Sequence, residues 1–300
     1  MWNAIAQDIA QAIKNDFVIT QTKQVCGGDT NTAFHITDNN HQFFVKLNQK
    51  QYLSAFQNES FALEHLAVSE QLIVPKVITC GTTLNYSYLV LEFLEMHTSS
   101  LQMANEQWFA LGEGLAILHG NNQQAEFGWT ENNYIGLTVQ SNIWQQNWSR
   151  FFAEQRIGYQ LQLLQDKGIQ LGRLDVLTDI CQQLLAHRRP IPSLVHGDLW
   201  QGNVSFVDGK PCMFDPASYY GDREVDIAMT ELFGRFPAAF YQGYNHTFPL
   251  DKDYQYRKHI YNGYHILNHA NLFAGIYINQ AKSFINDLHK YHQMYVRNAS

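Results

Sequence analysis

Two hydrophobic periods divide this chain, and their order leaves few folds open. Between Phe17 and Leu94 short apolar runs of strand length are separated by turn signals, with one helical segment among them. "FVITQTKQVCGGDTNTAFHITDNNHQFFVKL" reads as three short strands, with turns at Cys26–Thr30 and Asp38–Asn40. Phe56, Leu63 and Leu66 then give a helical stripe that stops before Pro75. "KVITCGTTLNYSYLVLEFL" supplies two more strands joined at Thr83–Asn85. Ahead of all this, Ile5, Ile9 and Ile13 mark an amphipathic first helix, not a leader peptide. From about residue 104 the period changes. Helices are expected over "NEQWFALGEGLAILHG", near 147–166, near 173–188 and from about 253 onward, with a polar, aromatic connection from Asn121 to about Gln146. "VSFVDGKPCMFD" reads as a hairpin turned at Asp208–Gly209. The expectation is an α+β chain of two lobes: an N-terminal antiparallel sheet with one main helix over 1–94, and a mainly helical lobe over 95–300. With 300 residues, 45% of them hydrophobic, both lobes can bury a core.

"LVHGDLWQGNV", from Leu194 to Val204, places an acid and an amide five residues apart on one loop. A second acid, Asp215, closes the hairpin that follows. Phosphoryl transfer needs this set: one carboxylate orients or deprotonates the attacking hydroxyl, while an amide and another carboxylate hold the magnesium that bridges the phosphates. The signature H-R-D-L-x-x-x-N followed by D-F-G has the same acid-to-amide spacing. Asp198 is therefore the candidate base, and Asn203 and Asp215 the candidate Mg²⁺ ligands. Lys46, in "FFVKL", sits late in the third expected strand, where a kinase keeps the lysine for the α- and β-phosphates of ATP. Glu59, early in the next helix, is its expected ion-pair partner, with Glu64 as the alternative. The "CGGDT" turn matches a glycine-rich phosphate loop poorly, but the backbone around Gly28 stands where such a loop would cover phosphates. Glu92, Phe93 and Leu94 end the small sheet where a hinge would offer backbone groups to adenine.

"HGDLWQGN", "NNYIGLTVQSNIW", "FDPASYYGDREVDIAMTELFG" and "YHILNHANLF" together closely resemble the fructosamine kinases, or ketosamine 3-kinases. These belong with the aminoglycoside phosphotransferase and choline kinase group, which share a protein-kinase-like fold. The resemblance runs from the Gly27–Gly28 turn almost to the C-terminus. It implies ATP-dependent phosphorylation of the sugar O3 of free or protein-bound ketosamines, a deglycation step, with ribulosamine-type sugars favoured in bacterial relatives. It implies that Trp200 stacks on the substrate sugar, that His269 faces the same pocket, and that Asp226 braces the catalytic loop while His196 supports it by hydrogen bonds. Tyr219 and Tyr220 are further pocket residues without assigned roles. The amides and aromatics of "NNYIG" and "NIWQQNW" suit a sugar surface. Several relatives carry a disulfide-forming Cys within the glycine-rich turn. Here Cys26 precedes the glycines, a departure from that pattern that leaves redox-linked dimerisation open, and a monomer or weak dimer is expected.

Charge narrows the partners. The net charge is −7 with no long basic run, so neither nucleic acid nor an acidic membrane is an expected partner, and no run reaches the length of a membrane span. Four scattered cysteines without C-x-x-C fit a reducing cytoplasm. The thirteen histidines are not expected to form a metal cluster. Two rival readings remain. In one, a cationic substrate such as an aminoglycoside or choline would be met by Asp222, Glu224 and Glu231. In the other, the chain is a non-catalytic ATP-binding scaffold, which has no need of Lys46, Asp198, Asn203 and Asp215 together.

Overall fold

The five expected strands pair into one antiparallel sheet: β1 (Gln21–Val25), β2 (Thr32–Thr37), β3 (Gln42–Gln49), β4 (Val77–Thr82) and β5 (Tyr86–Glu92), in the order β1-β2-β3-β5-β4. The computed structural model describes residues 1–25, 31–96, 103–121 and 124–299. The turn expected to cover phosphates, including Cys26 and Gly28, lies outside the described residues. Alternation decides what each face of β3 does. Phe43, Val45 and Leu47 pack with Ile36, Tyr88 and Val90 onto Ile5, Ala6 and Ile9 of α1 (Trp2–Ile13) in one buried cluster. Each such side chain removed from water contributes about 1.5–3 kcal/mol. Lys46 falls between them and so emerges on the opposite face.

That face meets α2 (Leu53–Leu66), whose buried stripe is Phe56, Ala62, Leu63 and Leu66. Glu59 stands three residues from both Phe56 and Ala62, hence on the stripe, whereas Glu64 is exposed. Asx geometry closes the β2–β3 turn. The Asp38 carboxylate accepts from the backbone N–H groups of Asn40 (2.8 Å) and His41 (2.6 Å), and Asn39 adopts φ 77°.

The chain divides into two compact units. The first comprises Met1–Leu115, Asn203–Pro216 and Pro237–Gly243; the second comprises Ala116–Gly202, Ala217–Phe236 and Tyr244–Ser300. Besides the sheet, the first holds the hairpin of β9 (Val204–Val207) and β10 (Lys210–Met213). Its turn residues Asp208 and Gly209 both have positive φ (48° and 78°), as a two-residue hairpin turn that follows strand twist requires. The hairpin is fixed to the chain after α2 by Ile73 N–H donating to Pro211 O (2.8 Å) and Met213 N–H donating to Ile73 O (2.9 Å).

The second unit is mainly helical. It holds α4 (Trp148–Phe151), a π-helical stretch over Phe152–Gly158, α5 (Tyr159–Asp166), α6 (Leu174–Leu184), α7 (Glu224–Met229), α9 (Tyr254–Phe273) and α10 (Ile276–Ala299). Two elements, α3 (Asn105–Gly120) and α8 (Ala238–Thr247), include residues of both units. Strand β8 (Ser193–Val195) pairs with β11 (Tyr219–Gly221). The expected connection from Asn121 to Gln146 contains a short hairpin, β6 (Asn133–Ile135) with β7 (Thr138–Gln140). Three-residue strands leave no readable period, so nothing in the sequence marks them. Among the described residues no helix is long and apolar enough to cross a membrane.

Candidate active site

In the first unit one ammonium bridges two carboxylates. Lys46 Nζ lies 2.6 Å from Glu59 Oε1 and 2.5 Å from Asp215 Oδ1. Lys46 is only 5% exposed, so burial opposes its charge, yet Asp215 and Glu59 hold it well above the usual lysine range. Two acids around one lysine leave an excess negative charge. Burial, with Asp215 adding to it, accordingly pushes the Glu59 carboxyl up against the pull of Lys46. Asp215 follows β10 with φ 58°, a left-handed conformation that Asp tolerates better than most residues and that is costly enough to need support. Lys46 supplies that support from the side chain. Asn203 is buried just before β9; Phe214 N–H donates to its carbonyl (3.1 Å), which sets Asn203 and Asp215 at the two ends of one hairpin.

Glu92 ends β5 in a reciprocal pair with Lys76: its carboxylate accepts from Lys76 N–H (2.9 Å), and its own N–H donates to Lys76 O (2.9 Å). Phe93 stacks on His35 with centroids 4.0 Å apart, and Leu94 is half-buried. Glu92 and Phe93 are thus pinned by their side chains.

In the second unit the loop after β8 is shaped from beneath. Gly197 has φ 82°, and a Cβ there would run into the Ala217 carbonyl, so glycine is required. His196 and Leu199 are fully buried anchors. Asp226, on α7, accepts from the N–H groups of His196 (2.7 Å) and Gly197 (2.8 Å). Its Oδ2 also lies 3.1 Å from His119 Nε2, whose other ring nitrogen meets the Tyr244 hydroxyl at 2.9 Å. Burial works against ionisation of Asp226, but His119, His196 and the Gly197 N–H outweigh it and hold the carboxyl below its ordinary range. Asp198 then emerges on the loop with its side chain 25% exposed, its N–H donating to His196 Nδ1 (3.3 Å). Trp200, two residues on, is 37% exposed and packs on Gly202.

The structure separates some residues grouped by the sequence. His269 is half-buried in an aromatic stack, on Phe233 at 4.5 Å and edge-on to Phe273 and Tyr277. It is His265, one turn earlier on α9, whose Nδ1 lies 3.9 Å from Asp198 Oδ1. The signal was present: the two histidines stand four apart in "HILNH", a same-face spacing. Tyr219 and Tyr220 are both buried among other side chains. Tyr219 is buried under the Arg156 guanidinium at 4.0 Å, and Tyr220 lies against Trp129 and Trp144. Of the amides of "NNYIG" and "NIWQQNW", Asn133 and Asn142 are spent internally. Asn133 Nδ2 donates to Ser218 O (2.7 Å), Asn142 Nδ2 to Asn133 Oδ1 (2.8 Å), and Arg156 to Asn142 Oδ1 (2.7 Å). The acids expected to greet a cationic substrate are paired too. Asp222 and Glu224 are fully buried against Arg188 (2.7 Å and 3.3 Å), Glu224 against Arg257 (2.7 Å), and Glu231 against Lys258 (2.8 Å).

A model of the fructosamine kinases matches residues 1–291. The chain belongs to the fructosamine kinase family. A probable ketoamine kinase of Vibrio parahaemolyticus is 46% identical over 291 residues, covering 97% of this chain and all of that one. A solved protein of Haemophilus somnus, provisionally assigned as a fructosamine-3-kinase, superposes with a TM-score of 0.90 at 34% identity, over 96% of this chain and 97% of its own. The aminoglycoside phosphotransferase APH(4)-Ia, solved with AMP-PNP and hygromycin B, gives a TM-score of 0.62 at 14% identity over 95% and 97% of the two chains, a likeness of fold alone. This family member is thus a kinase by descent, and it has the kinase-like α+β fold expected from its sequence.

Proposed function

We propose that this family member is an ATP-dependent ketosamine 3-kinase. The observation that carries the reading is the pair of prepared carboxylates: Asp215, held in a strained conformation by a buried lysine, and Asp198, raised on a loop whose backbone is clamped by Asp226. In this reading Lys46, held by Glu59, meets the α- and β-phosphates of ATP, and the chain at Glu92–Leu94 meets adenine. Asp215 and Asn203 present oxygen donors for Mg²⁺, which when bound neutralises charge on the transferring phosphate. The donor set fits that ion, which takes one or two carboxylates and leaves its other positions to phosphate and water. Asp198 receives the proton of the attacking sugar hydroxyl. The new O–P bond forms as the bond from the γ-phosphorus to the ADP oxygen breaks. Trp200 offers its exposed ring to the apolar face of the sugar.

The position of the phosphate gives the reaction its consequence. O3 sits on the carbon next to the C2 carbonyl of a ketosamine, so loss of a C1 proton to give the C1–C2 enaminol lets the C3–O bond break with departure of inorganic phosphate, and water then hydrolyses the resulting C1 imine to release the amine. Ribulosamines and fructosamines, free or on protein, are the acceptors this reading names. The aminoglycoside or choline reading loses support because Asp222, Glu224 and Glu231 are neutralised by arginine and lysine. The test is ATP turnover on a synthetic ribulosamine, a fructosamine, kanamycin and choline, with phosphorus NMR of each product. Phosphate on O3 of a ketosamine is expected. Turnover only on kanamycin or choline, or phosphate on another hydroxyl, overturns the assignment.

A further inference from the structure

A base that must take a proton from one hydroxyl needs its carboxylate held in one orientation, and Asp198 has a buried imidazole beside it. His265 is 5% exposed, and its Nδ1 stands 3.9 Å from Asp198 Oδ1. Hydrogen bonds to catalytic groups are often long before substrate arrives and tighten afterwards. The titratable and charged groups facing the ring are Asp198 on its loop, Arg156 on the π-helical stretch, Asp226 on α7, and His269 and Tyr264 on α9 itself. Burial, joined by His269 and Arg156 and opposed by Asp226, pushes the imidazole down to about 3. The ring therefore stays neutral wherever an aspartate base can work. Neutral imidazole carries one N–H, and an ionised carboxylate only accepts, so the favourable tautomer has its proton on Nδ1.

We propose that His265 is a positioning residue for Asp198: in the working enzyme its Nδ1–H donates to Oδ1 and turns Oδ2 toward the acceptor hydroxyl. The inference rests on the reading of Asp198 as the base. Neutrality is what makes the arrangement useful. An imidazolium at this site would form an ion pair and quench the basicity of Asp198, whereas a neutral donor fixes its direction at small cost to basicity.

The experiment has two arms. In the first, His265→Leu keeps the bulk without the donor, and His265→Asn keeps an N–H at the same remove from the backbone. Both are assayed on whichever acceptor the wild type phosphorylates best. His265→Leu is expected to lose kcat by about 10- to 100-fold, the usual cost of a supporting partner, with KM for ATP and acceptor nearly unchanged. The acid limb of its kcat/KM profile moves to higher pH, because a donor to the carboxylate is gone. His265→Asn keeps most of the activity and the wild-type limb. Equal loss in both variants with an unmoved limb marks a merely structural residue and overturns the proposal, as does wild-type activity in His265→Leu. The second arm needs no acceptor. Nitrogen NMR of histidine-labelled protein at pH 7, with the His265 signals identified by their loss in His265→Asn, is expected to show a neutral Nδ1–H ring that Asp198→Asn perturbs. A charged ring or the Nε2–H tautomer refutes it. Failure of every ketosamine to react would sink the substrate reading, while this arm still decides the role of His265.

Discussion

The enclosed His265 ring makes stability fall on the acid side of neutrality, by an amount its burial sets. In the folded protein burial, His269 and Arg156 push the ring down to about 3 from an ordinary value of 6.5. Between those limits the unfolded chain takes up a proton that the native ring refuses. A depressed folded-state value means that the contribution is complete above about pH 6.5 and is lost as pH falls toward 3. Linkage gives about 2 kcal/mol lost at pH 5 relative to pH 7, and about 1 kcal/mol more for each further unit down to pH 3. For a chain of this size 2 kcal/mol corresponds to roughly 3 °C in Tm. The assay is urea unfolding at pH 7 and pH 5 for wild type and His265→Asn, whose side chain does not titrate. The wild type should lose about 2 kcal/mol more than the variant over this interval. The remaining groups cancel in the comparison. Equal losses in the two proteins would refute the claim that His265 is buried in its neutral form.

Four further outcomes follow from the site. Asp198→Asn should lower kcat by about 100-fold or more, the range for a positioned acid–base group, while calorimetric ATP affinity stays within a few-fold; near-normal turnover rejects Asp198 as the base. Asp215→Ala should lose activity together with the Mg²⁺ dependence of ATP binding, read by titrations with and without the metal, and an unchanged dependence rejects the ligand role. Trp200→Ala should raise KM for the ketosamine by about 10-fold, taking ~1–3 kcal/mol for stacking by analogy with base–aromatic contacts, and leave KM for ATP unchanged; parallel changes in both argue against a sugar platform. Gly197→Ala should cost about 2–3 kcal/mol in chemical denaturation, because φ 82° and the Ala217 carbonyl both oppose a Cβ; a neutral substitution would show that the loop can relax.

Local pattern sufficed for much of this. The pattern of "FFVKL" put Lys46 late in a strand and put Glu59 early in the next helix as its expected partner, while the packed helix decided for Glu59 over Glu64. The five-residue step from Asp198 to Asn203 and the Asp208–Gly209 turn were likewise legible, because loop and turn chemistry depends on neighbours in the chain. The family resemblance supplied roles for Asp226 and Trp200 that spacing could not. The structure places Asp226 against the catalytic-loop backbone and leaves Trp200 partly open.

What a polar side chain does once buried was decided only in three dimensions. Asn133, Asn142, Asp222 and Glu224 have the composition of a binding surface, yet each is consumed by a partner distant in sequence: Ser218, Arg156, Arg188 and Arg257. Burial without a partner costs more than a hydrogen bond returns, so such groups are claimed by whichever complementary atoms the packing brings near, and sequence spacing does not list those atoms. The same reason separates His265 from His269. Four residues apart on one helix, they share a face in any linear reading, but one ring packs into a stack of Phe233, Phe273 and Tyr277, and the other comes to rest beside Asp198. Periodicity determined which face of α9 turns inward; only the placement of the neighbouring segments determined which histidine stands beside Asp198.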